Sequence, residues 1–319
     1  MIYLFYVVCA GLMVWLSNKA SVYVDLLDKK TNLSGAFIGG VMLSAVTSLP
    51  ELFTSLTSTV YLDKPGLCIG NILGSDLFNL TVLAALMIIF FKGYSTAKVA
   101  KSHIIVSIIV MAVYILMLLN WQGALIGGLK FGSYTVSILT VFIIILYAFG
   151  VKYMAGDEST TEEDDTNSNL TVKQIVTRFI LVSVGIITVS IIITNLTDKI
   201  ATKLGLGVGL AGAIFLGVAT SLPELVSTFS LFRLKNYNVG IGNIIGSNIF
   251  NFLILSIADI CYIGNKTVFN YSDPKNINLL VFGGIANLVM LLSFKFKNKI
   301  TQSIAALTVI ACYVAFLVI

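Results

Sequence analysis

The chain has 319 residues, 57% of them hydrophobic and 11% charged, with a mean hydropathy of +0.97 and a formal net charge of +5. Soluble domains carry roughly 25% charged residues, so too little polar surface exists here to face water on all sides, and the composition points to a polytopic helical membrane protein. Apolar runs of about 20 residues without strand-type alternation favour helices over a barrel; the basic residues sit at the ends of those runs, so the positive charge is no signal of a nucleic-acid partner.

Ten spans are predicted, at 2–25, 35–61, 67–91, 103–119, 127–149, 174–196, 209–232, 239–263, 277–294 and 300–318. The first run has no basic n-region and reads as a spanning helix, not a cleaved signal. His103, the single histidine, opens the fourth span and reads as interfacial. Between the fifth and sixth spans lies "KYMAGDESTTEEDDTNSNLTVK", 152–173, an acidic, Ser/Thr-rich stretch that reads as a solvated linker. It divides the chain into a first five-span repeat, 1–151, and a second, 174–319. Asp259, late in the eighth span, reads as structural. Cys9, Cys68, Cys261 and Cys312 show no CxxC spacing and read as small buried hydrophobes.

Lysine and arginine counts set the orientation. With the N-terminus outside, 13 fall in inner loops and 6 in outer ones. This places both termini outside the cell (inner) membrane and the linker in the cytoplasm.

The strongest signal is an internal repeat. "LSGAFIGGVMLSAVTSLPELFTS" at 33–55 aligns with "LGVGLAGAIFLGVATSLPELVST" at 206–228, and "GLCIGNILGSDLFNL" at 66–80 with "NVGIGNIIGSNIFNF" at 238–252. The two motifs occupy 35–80 and 208–252. Because each half has an odd number of spans, its copies enter the membrane from opposite sides. The expected fold is therefore all-α, ten transmembrane helices in two inverted five-helix repeats with broken helices at the centre. That architecture is typical of secondary transporters, with the site near the midplane.

The duplicated polar residues define a candidate site. Pro50 and Pro223 cannot donate a backbone hydrogen bond and clash with the carbonyl four residues back. Each should break its helix, the first near 45–48, freeing carbonyls at Thr47 and Thr220. Irregular backbone at membrane depth is tolerated where it lines a cavity, and a hard cation is the natural partner for carbonyl and carboxylate oxygens. Glu51 and Glu224 follow the prolines. An acid near the bilayer centre costs roughly 2.5–3.5 kcal/mol, and two brought together would neutralise one divalent cation, or hold protons or monovalent cations in its absence. Such competition is the physical basis of antiport. Ser75 and Asn79, and again Ser247 and Asn251, are spaced i, i+4 on one helical face and can complete a coordination shell. Asp76, mirrored by Asn248, points about 100° away from Ser75 and reads as tuning a side pathway or capping nearby backbone. A single histidine leaves no HExxH and no Ser–His pair, so the chain does not read as an enzyme.

The stretches "TSLPE…GNILGSDLFN" and "TSLPE…GNIIGSNIFN" resemble the paired repeats of the cation/calcium exchanger superfamily, in the compact prokaryotic form. The resemblance implies Glu51 and Glu224 as central divalent-cation ligands, joined by the carbonyls of Thr47 and Thr220. It further implies flanking sites for Na+ or H+ built from Ser48, Ser75 and Asn79 in one half and Ser221, Ser247 and Asn251 in the other. Alternating access would come from the first and sixth spans sliding across the other eight. One departure stands out: archaeal sodium/calcium exchangers and potassium-dependent animal members carry Asp where this chain has Asn251. Two acids at the centre argue against three sodium ions and against potassium dependence. The expected activity is export of a divalent cation, Ca2+ first, in exchange for Na+ or H+, with no cofactor and no obligatory protein partner. The sequence leaves open a Mg2+- or Mn2+-selective or strictly H+-coupled exchanger, and, more remotely, a cation channel.

Overall fold

A computed structural model of the chain describes residues 1–30, 43–97, 99–125, 127–131, 134–155, 170–235, 237–263, 267–269, 271–296 and 298–319. The start of the second span and the 156–169 portion of the linker lie outside the described residues.

The architecture is helical and polytopic. Helix α1 (Ile2–Lys30) is followed by a second span in pieces: α2 (Leu43–Thr47), α3 (Leu49–Leu56) and a π-helical turn, Thr57–Tyr61. Helix α4 (Pro65–Ile89) returns through the core, with its proline at a helix start where the missing N–H costs nothing. After the short α5 (Phe91–Tyr94) come α6 (Lys101–Trp121), strands β1 (Gly128–Phe131) and β2 (Tyr134–Ser137), and α7 (Ile138–Ala155). The second half opens with α8 (Val172–Leu204). Its seventh span is again broken, into α9 (Val208–Ala211), a π-helical stretch Gly212–Gly217, α10 (Val218–Thr220) and α11 (Leu222–Arg233). Helices α12 (Tyr237–Cys261), α13 (Pro274–Lys295) and α14 (Lys299–Val318) complete the chain.

Among the described residues seven helices are long and apolar enough to cross a membrane, and the bent pair in the seventh span makes an eighth. Ile138–Met154 is a shorter apolar helix. The fifth span differs from expectation in this respect. Residues 128–137, predicted as its first turns, form an antiparallel hairpin pairing Gly128 with Ser137 and Phe131 with Tyr134. Gly127 and Gly128 are poor helix formers, Gly127 sits at φ +140°, and Tyr134–Ser137 is rich in strand-favouring types. Asp259 secures the hairpin's end: its carboxylate accepts from Ser137 N (2.9 Å), Thr140 Oγ1 (2.7 Å), Thr267 Oγ1 (2.9 Å) and Val268 N (3.0 Å). It is wholly buried and structural, as the sequence indicated.

The sixth span also runs longer than predicted. A capping box formed by Thr171 and Gln174 opens α8, and Gly205, in the left-handed region at φ +64°, closes it. His103, in the first turn of α6, is buried within the protein, its Nε2 lying 3.0 Å from the Asn238 carbonyl where α6 packs on α12. Cys9, Cys68 and Cys312 are buried as expected, whereas Cys261 is exposed at the end of α12.

The layout inverts that of a soluble domain. Leu4, Phe5, Val8 and Trp15 on α1, Ile180 and Leu181 on α8, and Ile304 and Leu307 on α14 face outward. Glu51, Glu224, Asp76 and a band of Ser, Thr and Asn are sealed inside. Two apolar clusters surround that band. One joins α4, α6, α7, α12, α13 and α14; the other joins α1 and α8 to each other and to the broken spans, through Met13, Leu16, Ile186, Ile193 and Leu216. Helices α1 and α8 pack along each other, with Gly185 against the Leu16 side chain.

Candidate cation site

Both broken spans interrupt at a serine. Ser48 (φ −90°, ψ 11°) separates α2 from α3, and Ser221 (φ −87°, ψ 3°) separates α10 from α11. The two parts of the seventh span bend by 46°. Pro50 and Pro223 occupy the second position of the new helices, so Glu51 and Glu224 fall in their first turns. There the positive end of the helix dipole favours an acid. The side-chain hydroxyls of Thr47 and Thr220 bond back to their own helices, at the Ser44 carbonyl (3.2 Å) and the Leu216 carbonyl (2.9 Å).

The two breaks meet. Ser48 Oγ of the first repeat donates to Glu224 Oε1 of the second at 3.2 Å, and Ser221 Oγ of the second donates to Glu51 Oε1 of the first at 3.1 Å. Ser247 Oγ lies 3.5 Å from the same Glu224 oxygen. The hydroxyls of Ser75 and Thr220 also approach Glu51, that of Thr47 approaches Glu224, and the two carboxylates lie within electrostatic reach of each other. Oε2 of each glutamate is buried with no hydrogen-bond partner. At 1% and 0% exposure the pair is sealed inside the protein. Two half-compensated carboxylates with free oxygen lone pairs, ringed by neutral hydroxyls, suit a hard cation. Among the described residues no group of three or more His, Cys, Asp or Glu is arranged as a metal cluster, so neutral oxygens must supply the rest of any shell.

The site's walls touch backbone to backbone. A Cβ at Gly70 would run into the Gly209 carbonyl, and one at Gly74 into Ala213. One at Gly217 would lie 2.8 Å from Ser75 N. This contact lets Ser75 Oγ donate to the Gly217 carbonyl at 3.2 Å. Asn79 and Asn251 sit one turn further along: Asn79 Nδ2 donates to Asn248 Oδ1 (3.0 Å), and Asn251 Nδ2 donates to Asp76 Oδ1 (2.9 Å). Asp76 thus faces the opposite repeat, and Asn248 Nδ2 caps its carbonyl at 3.2 Å.

Two further residues belong to the arrangement and were not singled out from the sequence. Asn71 Nδ2 donates to Thr54 Oγ1 and Ser55 Oγ, both at 3.0 Å, holding α3 against α4. Its mirror, Asn243, donates to Ser227 Oγ (2.8 Å) and Thr228 Oγ1 (3.0 Å). The signal was present, since Asn71, Ser75 and Asn79 continue one i, i+4 series.

The chain is similar to known proteins. An uncharacterized membrane protein of Methanocaldococcus jannaschii is 27% identical over 228 residues, 70% of each chain. A structure of the sodium-calcium exchanger NCX_Mj superposes with a TM-score of 0.62 at 20% identity, covering 100% of this chain and 99% of that one. One of an H+/Ca2+ exchanger superposes at 0.63 and 12% identity, covering 99% and 87%. Both share the fold. The profile of the family described as sodium/calcium exchanger protein matches residues 1–153 and 175–319. With the mirrored breaks and facing glutamates at its centre, the chain belongs to the sodium/calcium exchanger protein family, whose members are membrane antiporters for inorganic cations and not enzymes.

Proposed function

We propose that this protein exports a divalent cation, Ca2+ first, against Na+ or H+ by alternating access, with Glu51 and Glu224 as the charged ligands. The carrying observation is the reciprocal pair of bonds, Ser48 to Glu224 and Ser221 to Glu51, which bring both acids to one buried point with one oxygen of each left free. The carbonyls of Thr47 and Thr220 and the hydroxyls of Ser75 and Ser247 complete the shell. Calcium tolerates such an irregular set of oxygens, whereas magnesium retains its waters. Without the divalent ion, two adjacent carboxylates in low dielectric take up monovalent cations or protons, and that exchange is the coupling.

Helices α1 and α8 form the moving pair. Their support is the separate apolar cluster that joins them to the broken spans; the polar ties across it include the Tyr6 hydroxyl donating to the Phe215 carbonyl and the Lys64–Asp198 ion pair, which sliding must release. The halves divide at the acidic linker, which faces the cytoplasm with both termini outside.

The test is gradient-driven 45Ca2+ flux in proteoliposomes, with Na+ and H+ gradients imposed separately. Glu51→Gln keeps the acceptor for Ser221 and removes one of two compensating charges. Breaking a buried charge pair costs about 3–5 kcal/mol, so affinity should fall by roughly 100- to 5,000-fold. Full flux in Glu51→Gln, or no flux of any divalent ion under either gradient, would sink the assignment.

A further inference from the structure

The offset that carries Glu51 onto Glu224, 173 residues, also aligns α1 with α8. Their buried faces agree with it: Met13 and Ile186, Leu16 and Val189, Ser17 and Ser190, and Ala20 and Ile193 are all buried. Two polar ties from this helix pair break the symmetry. The Tyr6 hydroxyl of α1 donates to the Phe215 carbonyl, in the π-helical stretch of the seventh span. The residue mirroring Tyr6 on α8 is Phe179, which has no hydroxyl to donate. Lys64, at the start of α4, pairs with Asp198 of α8. Asp198 is mirrored by Asp25, but Lys64, at the 172-residue offset that carries Ser75 onto Ser247, is mirrored by the neutral Asn236. Both ties lie at one end of the bundle, where Lys203 near the end of α8 sits 5.5 Å over the ring of Tyr3 near the start of α1. In the orientation proposed above, that end is the outer one. The turn before α4 is built to present Lys64. Asp63 holds the left-handed conformation at φ +54°, uncommon for a residue other than glycine, and its carboxylate accepts from the Tyr262 hydroxyl just beyond α12. One residue thus fixes the turn to α12, and the next reaches α8.

We propose that Tyr6–Phe215 and Lys64–Asp198 form a one-sided latch, which holds α1 and α8 in the position the structure gives them. The latch rests on the moving pair proposed above and adds a difference between its two positions. A slide of one helical turn, about 5.4 Å, carries both ties beyond hydrogen-bond reach. The mirrored position has neither the hydroxyl nor the charge to replace them, so the two positions are unequal in energy although the repeats that create them are alike. The two ties also answer to different conditions. Lys64 is 36% and Asp198 23% exposed, so dissolved salt screens their attraction. The hydroxyl bond of Tyr6 carries no net charge and is indifferent to salt.

The experiment is a double electron–electron resonance distance measurement on the full chain in nanodiscs. Nitroxides go at Lys199→Cys on α8 and Lys130→Cys on β1, both exposed, with the exposed Cys261 changed to Ser. The hairpin holding β1 is fixed to α12 through Asp259, so the distance follows α8 against the rest of the bundle. With latch residues intact, two distance populations should appear, in a ratio that responds to Na+ and Ca2+. Lys64→Gln and Tyr6→Phe should each lower the population at the distance of the present structure, relative to the other, by about two- to fivefold. The charge swap Lys64→Asp/Asp198→Lys should restore it. Raising choline chloride from about 0.01 M to about 1 M, which shortens the screening length about tenfold, should shift the ratio with Lys64 in place and leave Lys64→Gln unmoved. Tyr6→Phe keeps the ring contact with Phe215, 5.5 Å between centroids, and serves if the charge variants do not fold. Two ion-responsive populations whose ratio is the same with and without Lys64→Gln and Tyr6→Phe overturn the latch and leave the moving pair standing. A single distance under every ion condition overturns the moving pair, and the latch with it.

Discussion

Gly74→Ala tests whether the site depends on direct backbone contact between α4 and the seventh span. A methyl at Gly74 would lie 2.7 Å from the Ala213 Cβ and 3.0 Å from the Ala213 carbonyl oxygen, and closer still to the Ala213 Cα. Carbon atoms in ordinary contact stand about 3.5–4.0 Å apart. The two helices must therefore separate by roughly 1 Å, at an overpacking cost of about 1–3 kcal/mol. The neighbouring Ser75 Oγ bond to the Gly217 carbonyl, already 3.2 Å, would not survive that displacement. A misplacement of about 1 Å in a preorganised site can cost on the order of 100-fold in rate. The expected result is a folded protein with a lowered melting temperature and Ca2+ flux reduced by about two orders of magnitude. Ala213→Gly in the same chain should recover part of the loss, because one of the clashing atoms is the Ala213 methyl. Wild-type flux and melting temperature in Gly74→Ala would refute the close-contact argument.

Two further outcomes separate positioning from scaffolding. Asn71→Ala and Asn243→Ala each remove the side-chain hydrogen bonds that brace a broken span to its partner helix, Asn71 also reaching the Glu51 carbonyl at 3.4 Å, so each should lower stability by about 1–3 kcal/mol. By the repeat symmetry the two losses should be similar in detergent melting curves; a large loss in one and none in the other would contradict the mirrored roles. Asp259→Ala strands four donors and should cost about 3 kcal/mol or more in melting experiments. It lies eight residues along α12 from Asn251, about 12 Å by helical rise, so Ca2+ affinity in the folded fraction should be unchanged; a loss of affinity would count against a purely structural role.

The breaks in the second and seventh spans were legible because proline acts through the covalent chain: a missing N–H four residues after Val46 or Ala219 disrupts a helix whatever surrounds it. The repeat made the pairing of Glu51 with Glu224 legible as well, since inverted copies meet at their symmetry axis. Contacts that cross between helices without a mirror image were not. Asp76 has a neutral counterpart in Asn248, so symmetry gave no hint that its carboxylate bonds to Asn251. Residues 128–137 read as membrane-spanning because their apolar content matches a span, and only two glycines and a cluster of strand-favouring types argued otherwise. Asn71 was visible as part of a helical series but not as a brace, because Thr54 and Ser55 reach it only through the packing of α3 on α4.

The exchange of serine donors between repeats has a mechanical consequence. Each glutamate takes a hydroxyl from the opposite half, so neither half contains a complete half-site. With no ion between them, the two halves are fastened at this point by two hydroxyl bridges working against the repulsion of like charges. In the proposed function, a cation bound between the glutamates replaces that repulsion with attraction to both carboxylates and draws the halves together. The cargo is thus a structural member of the transporter while it is aboard, and the protein should be stiffest across its own midplane when loaded and most compliant when it has just let go.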